Sequence, residues 1–197
     1  MTLENAIERA NEYAKKDLRF SELKYRELIY AKTGKAVDLF WYADTLRQSG
    51  YYKKAEELFL SIPISKIPIQ NRHHFYLHVG MLYQELGNFA QALHFYKKSL
   101  KLNSESTVPY VFVSNILKIQ EKDKVAIVYL TKALLKEGDI DEVYYNLATS
   151  YIRIGKLEES FSAIEGCLKI DSTYPNAKKI KQDIKLLLKQ DGGISVV

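Results

Sequence analysis

A spacing of 34 residues recurs along this chain. Gly87, Glu121 and Gly155 follow one another at intervals of 34 residues, and Gly50 stands 37 residues before Gly87. A fixed period of about 20–50 residues is typical of solenoids, in which each unit buries its apolar face only against its neighbours. The spacing therefore predicts one continuous repeat body, although a chain of 197 residues could otherwise form one or two ordinary domains.

Each repeat is predicted to contain two helices. In the clearest one, apolar or small residues recur at spacings of three and four and so share one helical face: Tyr76, Val79, Gly80 and Tyr83. Gly87 then suits the left-handed conformation that often ends a helix. A second helix is predicted from Phe89 to Leu102 and carries the small Ala92. Because Gly80 and Ala92 are both small, we expect the two helices to approach closely.

The same pattern occurs in four segments. The matching residues are Leu39, Tyr42, Ala43, Leu46, Ala55 and Phe59; Tyr76, Val79, Gly80, Tyr83, Ala92 and Tyr96; Tyr110, Val113, Ser114, Leu117, Ala126 and Leu130; and Tyr144, Leu147, Ala148, Tyr151, Ser160 and Ile164. The pattern resembles the tetratricopeptide repeat family, whose signature is W-x₂-L-G-x₂-Y followed by A-x₃-F. The signature Trp is absent from every segment, and Tyr replaces it in three.

The resemblance implies an all-α fold, a right-handed α-solenoid of antiparallel helix pairs with about four to five repeats. A single solenoid over residues 1–190 is expected, made of these parts: a degenerate helix pair at 2–35, repeats at 36–69, 73–106, 107–140 and 141–174, and a capping helix at 175–190 that has Pro175 in its first turn. Residues 191–197 are expected to form a flexible tail. The segment from Pro63 to Pro68 interrupts the spacing, and its two prolines predict a rigid loop in place of a helix.

In this family the first helices of successive repeats line a concave groove. The resemblance therefore places in the groove those residues of each first helix that face away from the partner helix. The predicted partner-binding residues are Phe40, Trp41, Asp44, His74, His78, Met81, Phe112, Asn115, Tyr145, Asn146 and Thr149.

Aromatic residues mark the N-terminal part of this groove. Trp41 and Phe40 are not needed by the repeat pattern, so they are candidate anchors for a partner. Phe112 and Tyr145 are candidate anchors farther along the chain. The alternative for Trp41 and Phe40 is that they pack against the degenerate first helix pair.

Asparagines mark the C-terminal part of the groove. Asn115 and Asn146 could each hold both the C=O and the N–H of a peptide bond, because an amide side chain has one acceptor and two donors; the alternative is two solvated amides. One subgroup of the family adds basic residues that clamp a carboxylate. The matching positions here are Val111, Asn176 and Ile180, so no carboxylate clamp is predicted.

Catalytic and metal motifs are missing. The sequence has no phosphate-binding Gly-rich loop, no H-E-x-x-H and no G-x-S-x-G. His74 and His78 share a helix face, but no further ligand stands at metal-binding spacing, so no metal site is predicted. The single Cys167 is predicted to be a reduced thiol in the core. The acidic run from Glu137 to Glu142 is predicted to favour the start of the following helix.

These observations predict a non-enzymatic interaction module, an adaptor, scaffold or chaperone-like protein that binds a peptide or helix of another protein in its groove. One alternative is a structural subunit that assembles into a homo-oligomer or larger complex through its ends or convex face. A minor alternative is RNA binding, because the net charge is +5 and the pI about 9.0. No cofactor, no membrane association and a cytoplasmic location are expected, since no secretory signal or long apolar run is visible.

Overall fold

The computed structural model describes residues 1–190, in which the regular structure is helical apart from one isolated bridge. The tail predicted at 191–197 lies outside the described residues. The helices are α1 (Leu3–Lys15), α2 (Arg19–Thr33), α3 (Ala36–Gln48), α4 (Tyr52–Ser61), α5 (Arg72–Glu85), α6 (Phe89–Leu102), α7 (Val108–Ile119), α8 (Asp123–Ala133), α9 (Ile140–Arg153), α10 (Leu157–Ile170) and α11 (Ala177–Gln190). They fall into two compact units, the first ending at Leu102 and the second beginning at Asn103.

The first unit contains α1 to α6. Consecutive helices pack as pairs, α1 with α2, α3 with α4 and α5 with α6, and α2 also packs on α3. The main core lies among α3, α4 and α5, and its buried side chains include Phe40, Leu46, Phe59, Phe75 and Leu82. Ala6, Ala10 and Ile29 form a separate small core in the first pair. The short helices bury enough apolar surface only because each packs on the next, as the spacing predicts.

Gly80 allows α5 and α6 to pack closely. A Cβ atom on Gly80 would lie 2.5 Å from two ring carbons of Tyr96, which is too close for any side chain. Tyr96 is fully buried, and its hydroxyl donates a hydrogen bond of 2.9 Å to Gln84. The close approach predicted from Gly80 and Ala92 is confirmed, and the structure shows that a tyrosine ring fills the space.

The loop between α4 and α5 is ordered by two short 3-10 turns, Ile64–Lys66 and Ile69–Asn71. Ile62 and Ile67 are buried and fix the loop to the core of the first unit. Nε of Arg72 donates a hydrogen bond of 3.1 Å to the carbonyl of Ile67. The segment between its two prolines is thus a loop, as predicted, although it includes 3-10 turns that the sequence pattern did not indicate.

The second unit contains α7 to α11. Here α7 packs on α8, α8 on α9, α9 on α10 and α10 on α11, and α7 also contacts α9. Ser106 and Glu137 form the isolated bridge, and Gly138 lies against the hydroxyl of Thr107. Asp141 and Glu142 occupy the first turn of α9, as the acidic run predicted.

The C-terminal helix starts later than predicted. Pro175 was expected in its first turn, but α11 begins at Ala177. Asn176 has a φ of +62°, which is incompatible with a right-handed helix. This left-handed residue places Pro175 in the preceding turn, so that expectation was wrong.

Two turns between paired helices have a left-handed residue that is not glycine, Asp17 and Glu121. Gly87 and Gly155 have φ values of +74° and +75°, and Glu121 adopts φ +59° at the same point of its repeat. A side chain in this conformation costs about 1 kcal/mol because Cβ crowds the following carbonyl. The fold of this repeat therefore imposes a turn geometry that its own sequence does not favour.

Candidate partner-binding surfaces

Several residues predicted to line a groove are buried in the first unit. Phe40 is 5% exposed and packs against Phe59 and Phe75, with ring centroids 6.0 and 5.9 Å away. It is a core residue because α4 and α5 close over it. Its predicted role as an exposed anchor is therefore wrong.

Asp44 is also buried, at 1% exposure, and its carboxylate is enclosed by partners. Nε of Arg47 donates to Oδ1 at 2.8 Å, Nε2 of Gln48 donates to Oδ2 at 2.6 Å, and Nδ1 of His78 lies 2.8 Å from Oδ1. Burial alone would raise the pKa of Asp44, but His78 and Arg47 hold that pKa at about 2. Arg47 also pairs with Glu85. Asp44 is thus the centre of an internal charge network and is not available to a partner.

Trp41 keeps 41% of its surface exposed. Its ring lies under the guanidinium of Arg26 on α2, 5.9 Å from the centroid, and edge-on to His78 at 6.0 Å. Trp41 therefore contacts the first helix pair, as the alternative predicted, and its role as an anchor for a partner stays a prediction. His74 is exposed and Met81 half-buried on α5.

In the second unit, three predicted residues line one cleft between α7 and α9. Asn115, Tyr145 and Thr149 share it with Lys118, Ile119 and Arg153. We call this the α7–α9 cleft; its volume is about 410 Å³. Ile119 is 56% exposed and supplies an apolar edge. Phe112 is half-buried on α7 and is not among the residues that line the cleft.

Asn146 lies behind this cleft and is 6% exposed. Its Nδ2 donates to the carbonyl of Glu142 at 2.9 Å, and its Oδ1 accepts a hydrogen bond of 2.5 Å from Nζ of Lys118. Both the Nδ2 and the Oδ1 atom of this amide therefore have a partner within the protein. Neither a free peptide grip nor a solvated amide describes it, and the expectation for Asn146 was wrong.

Lys118 is the unusual charge of the α7–α9 cleft. Burial lowers the pKa of its ammonium group to about 8. It forms no ion pair with a carboxylate of residues 1–190, and Asn146 accepts only one of its three N–H groups. Arg153 is different, because its Nε donates to Asp123 at 2.8 Å and its Nη2 donates to the carbonyl of Lys118 at 3.0 Å. The cleft thus contains a half-buried cation that no carboxylate of residues 1–190 contacts directly, although the charges of Asp123 and Glu142 act on it.

Lys118, Ile119 and Arg153 were not predicted from the sequence to belong to the cleft, although their spacing indicates it. Lys118 and Ile119 follow Asn115 by three and four residues, and Arg153 follows Thr149 by four. Those spacings place them on the same helix faces. The rings of Tyr145 and Tyr174 contact each other with centroids 5.0 Å apart and planes tilted by 35°, a contact between distant segments that no local spacing indicates.

No metal site is found in the described part of the chain, where no three His, Cys, Asp or Glu side chains come together at metal-binding range. The rings of His73 and His74 lie 4.0 Å apart and are tilted by 38°, and burial together with its histidine neighbours lowers the pKa of His74. Cys167 is buried and unpaired, as predicted, and burial raises the pKa of its thiol to about 11. Among residues 1–190, no helix combines the length and the apolar character needed to cross a bilayer.

The decisive comparison is with known sequence families. The family model described as tetratricopeptide repeat matches residues 73–106 and 141–174. These two segments of the chain are tetratricopeptide repeats. The two matched segments coincide with two of the repeats predicted from the spacing. None of the curated proteins matches the chain.

Several solved structures of tetratricopeptide repeat proteins have the same fold as this chain. A thermophilic member from Thermus thermophilus, TTC0263, is 17% identical, with a TM-score of 0.71 over 94% of this chain and 100% of that one. YrrB, a tetratricopeptide repeat protein with an unusual peptide-binding site, is 14% identical, with a TM-score of 0.67 over 88% of each chain. The first repeat domain of Spaghetti (RPAP3), bound to the HSP90 peptide SRMEEVD, is 18% identical, with a TM-score of 0.58 over 60% of this chain and 97% of that one. The predicted fold class, an all-α solenoid of antiparallel helix pairs, is confirmed.

Proposed function

We propose that this protein is a non-enzymatic interaction module that binds a segment of another protein at the α7–α9 cleft. The observation that carries the proposal is the half-buried Lys118, whose ammonium has no carboxylate partner in the described residues. Buried charges in proteins are normally paired, because removing an ion from water is costly. An anionic group of a partner would supply the direct ion pair that Lys118 lacks.

The equivalent pair of positions in the first unit supports this interpretation. In the first unit, Arg47 is the twelfth residue of its repeat and Glu85 is the thirteenth residue of the next repeat. These two residues form an ion pair. In the second unit the same two positions hold Lys118 and Arg153, which have the same sign of charge. In the first unit the two opposite charges therefore neutralise each other. In the second unit Asp123 pairs with Arg153, and Lys118 forms no ion pair within residues 1–190.

The other residues of the α7–α9 cleft suit a peptide. Asn115 is half-buried, and its amide can pair with a peptide bond as acceptor and donor. Ile119 and Tyr145 offer apolar contact beside these polar groups. The RPAP3 domain has an HSP90 peptide bound and YrrB has a peptide-binding site, which supports a peptide or helical segment as the ligand here. An adaptor or scaffold role in the cytoplasm belongs to the same proposal.

The test uses two matched charge-introducing variants. Ile119→Glu places a carboxylate at the edge of the α7–α9 cleft, and Val128→Glu places one on α8, outside the cleft, at a residue with similar exposure (52% against 56%). Partners captured from native lysate by wild type are identified, purified and titrated against each variant. We expect Ile119→Glu to weaken binding at least tenfold and Val128→Glu to leave it unchanged, with circular dichroism showing that both variants fold.

Other outcomes would overturn the proposal. A partner that binds Ile119→Glu as tightly as wild type does not use the cleft. Loss of binding in Val128→Glu alone would favour assembly through the convex face, with light scattering reporting self-association. Capture of RNA with a steep salt dependence would favour the nucleic-acid alternative.

A further inference from the structure

A second cleft lies in the first unit, at the loop that interrupts the repeat spacing. We call it the loop cleft; its volume is about 740 Å³. Its apolar walls include Tyr30 from α2, Val37 from α3, and Pro63 and Pro68 from the loop between α4 and α5. The loop residues that interrupt the repeat spacing thus form one wall of this cleft. None of the residues predicted to line the groove belongs to it.

The loop cleft is held open by packing and hydrogen bonds. Ile67 is 2% exposed and Ile62 is 6% exposed, so the loop is attached to the core on both sides of Pro63. The two 3-10 turns and the hydrogen bond from Arg72 to the carbonyl of Ile67 order the remaining residues. A cleft that is already formed needs little reorganisation to bind a ligand, which favours affinity.

Two lysines lie at the rim of the loop cleft. Lys35 and Lys66 are exposed, and neither pairs with a carboxylate of residues 1–190. The nearest acidic residue in sequence, Asp38, accepts a hydrogen bond of 2.5 Å from the hydroxyl of Thr33 and does not line the cleft. The rim is therefore positively charged and the walls are apolar.

We propose that the loop cleft binds a segment of a partner protein in which an acidic residue stands beside aliphatic residues. The aliphatic side chains would pack on Tyr30, Val37 and the two prolines, and the carboxylate would pair with Lys35 and Lys66. This site is independent of the α7–α9 cleft, which belongs to the second unit.

The test selects ligands without assuming a partner. A library of short random peptides displayed on phage is panned against the wild-type chain, and enriched clones are then measured against two double variants. Lys35→Glu/Lys66→Glu reverses the rim charge. Lys97→Glu/Lys101→Glu makes the same change in net charge at exposed lysines of α6, away from the cleft. We expect a group of clones rich in acidic and aliphatic residues that binds wild type and the α6 control equally and binds the rim variant at least tenfold more weakly.

The proposal is wrong if the selection yields no enriched clones, or if the enriched clones bind the rim variant as well as they bind wild type. It is also wrong if their binding depends on the rim lysines but does not need an acidic residue in the peptide. Loss of wild-type self-association in the rim variant, seen by light scattering, would assign the loop cleft to a second copy of this chain and would also overturn it. Clones weakened by Ile119→Glu and unaffected by the rim variant report on the α7–α9 cleft, so the two proposals can fail separately.

Discussion

Nζ of Lys118 lies 2.5 Å from Oδ1 of Asn146, and this hydrogen bond joins α7 to α9 beneath the α7–α9 cleft. The bond explains why a lysine can point inward at this position. The same bond occupies Oδ1 of Asn146, the residue that the repeat pattern predicted to bind a peptide. The cleft therefore presents an ammonium group at the point where the sequence predicted an amide.

Lys118 is expected to titrate below the usual range of a lysine. Burial lowers its pKa to about 8, whereas a lysine in an unfolded chain titrates at about 10.4. Between these values the unfolded state binds more protons than the folded state, so the free energy of unfolding should rise with pH in this window. Carbon-13 NMR of the Lys118 side chain measures the titration. A pKa equal to that of an unfolded lysine would contradict the burial.

The two groove asparagines are expected to differ in their effect on stability. Asn146→Ala should lower the free energy of unfolding by about 1–3 kcal/mol, because it leaves the half-buried Lys118 ammonium without its acceptor. Asn115→Ala should change that free energy by less than about 0.5 kcal/mol, since Asn115 lines an open cleft. Urea denaturation of the two variants makes the comparison. Equal losses would show that Asn146 has no special structural role.

Asp44→Asn is expected to destabilise the protein by about 2–3 kcal/mol at neutral pH, because it removes the buried charge that Arg47 and His78 face. The pKa of Asp44 is held at about 2 in the folded protein, below its unfolded value. Its contribution is therefore complete above about pH 4 and is lost as the pH falls toward 2. Denaturation at several pH values should show the gap between wild type and variant closing in that range. Asp183→Asn, at an exposed position on α11, is the control.

Gly80→Ala is expected to destabilise the protein by about 1–3 kcal/mol, because its Cβ would overlap the buried ring of Tyr96. In most helices the same change is stabilising by up to about 1 kcal/mol, so the sign of the effect tests the packing. Thermal unfolding followed by circular dichroism measures it. A shorter side chain at residue 96 should recover part of the loss, as in Gly80→Ala/Tyr96→Leu relative to Tyr96→Leu alone.

Glu121→Gly is expected to raise the free energy of unfolding by about 1 kcal/mol, because glycine adopts the left-handed conformation of this turn without strain. The matched opposite change is Gly155→Glu, which places a side chain at φ +75° and should be destabilising by a similar amount. Chemical denaturation compares both with wild type. Destabilisation by Glu121→Gly would mean that the glutamate side chain has a compensating role.

The repeat spacing by itself determined the helix pairs, the turns between them and the residues on each packing face. It could do so because a solenoid is built from contacts between elements that are close in sequence. Gly80 and Ala92 show this, since their small size alone predicted the close helices that the structure confirms.

Only the tertiary structure decided which groove positions are open. Asp44 and Asn115 hold the same place in their repeats, yet Asp44 is buried by His78 and Arg47 while Asn115 lines a cleft. The difference arises from the neighbouring repeat. Glu85 of the next repeat pairs with Arg47, which contacts Asp44, whereas Arg153 of the next repeat carries the same sign of charge as Lys118, which shares the cleft with Asn115. Repeat register gives the place of a residue on its helix, but the pairing of charges across helices depends on side chains that only the folded chain brings together.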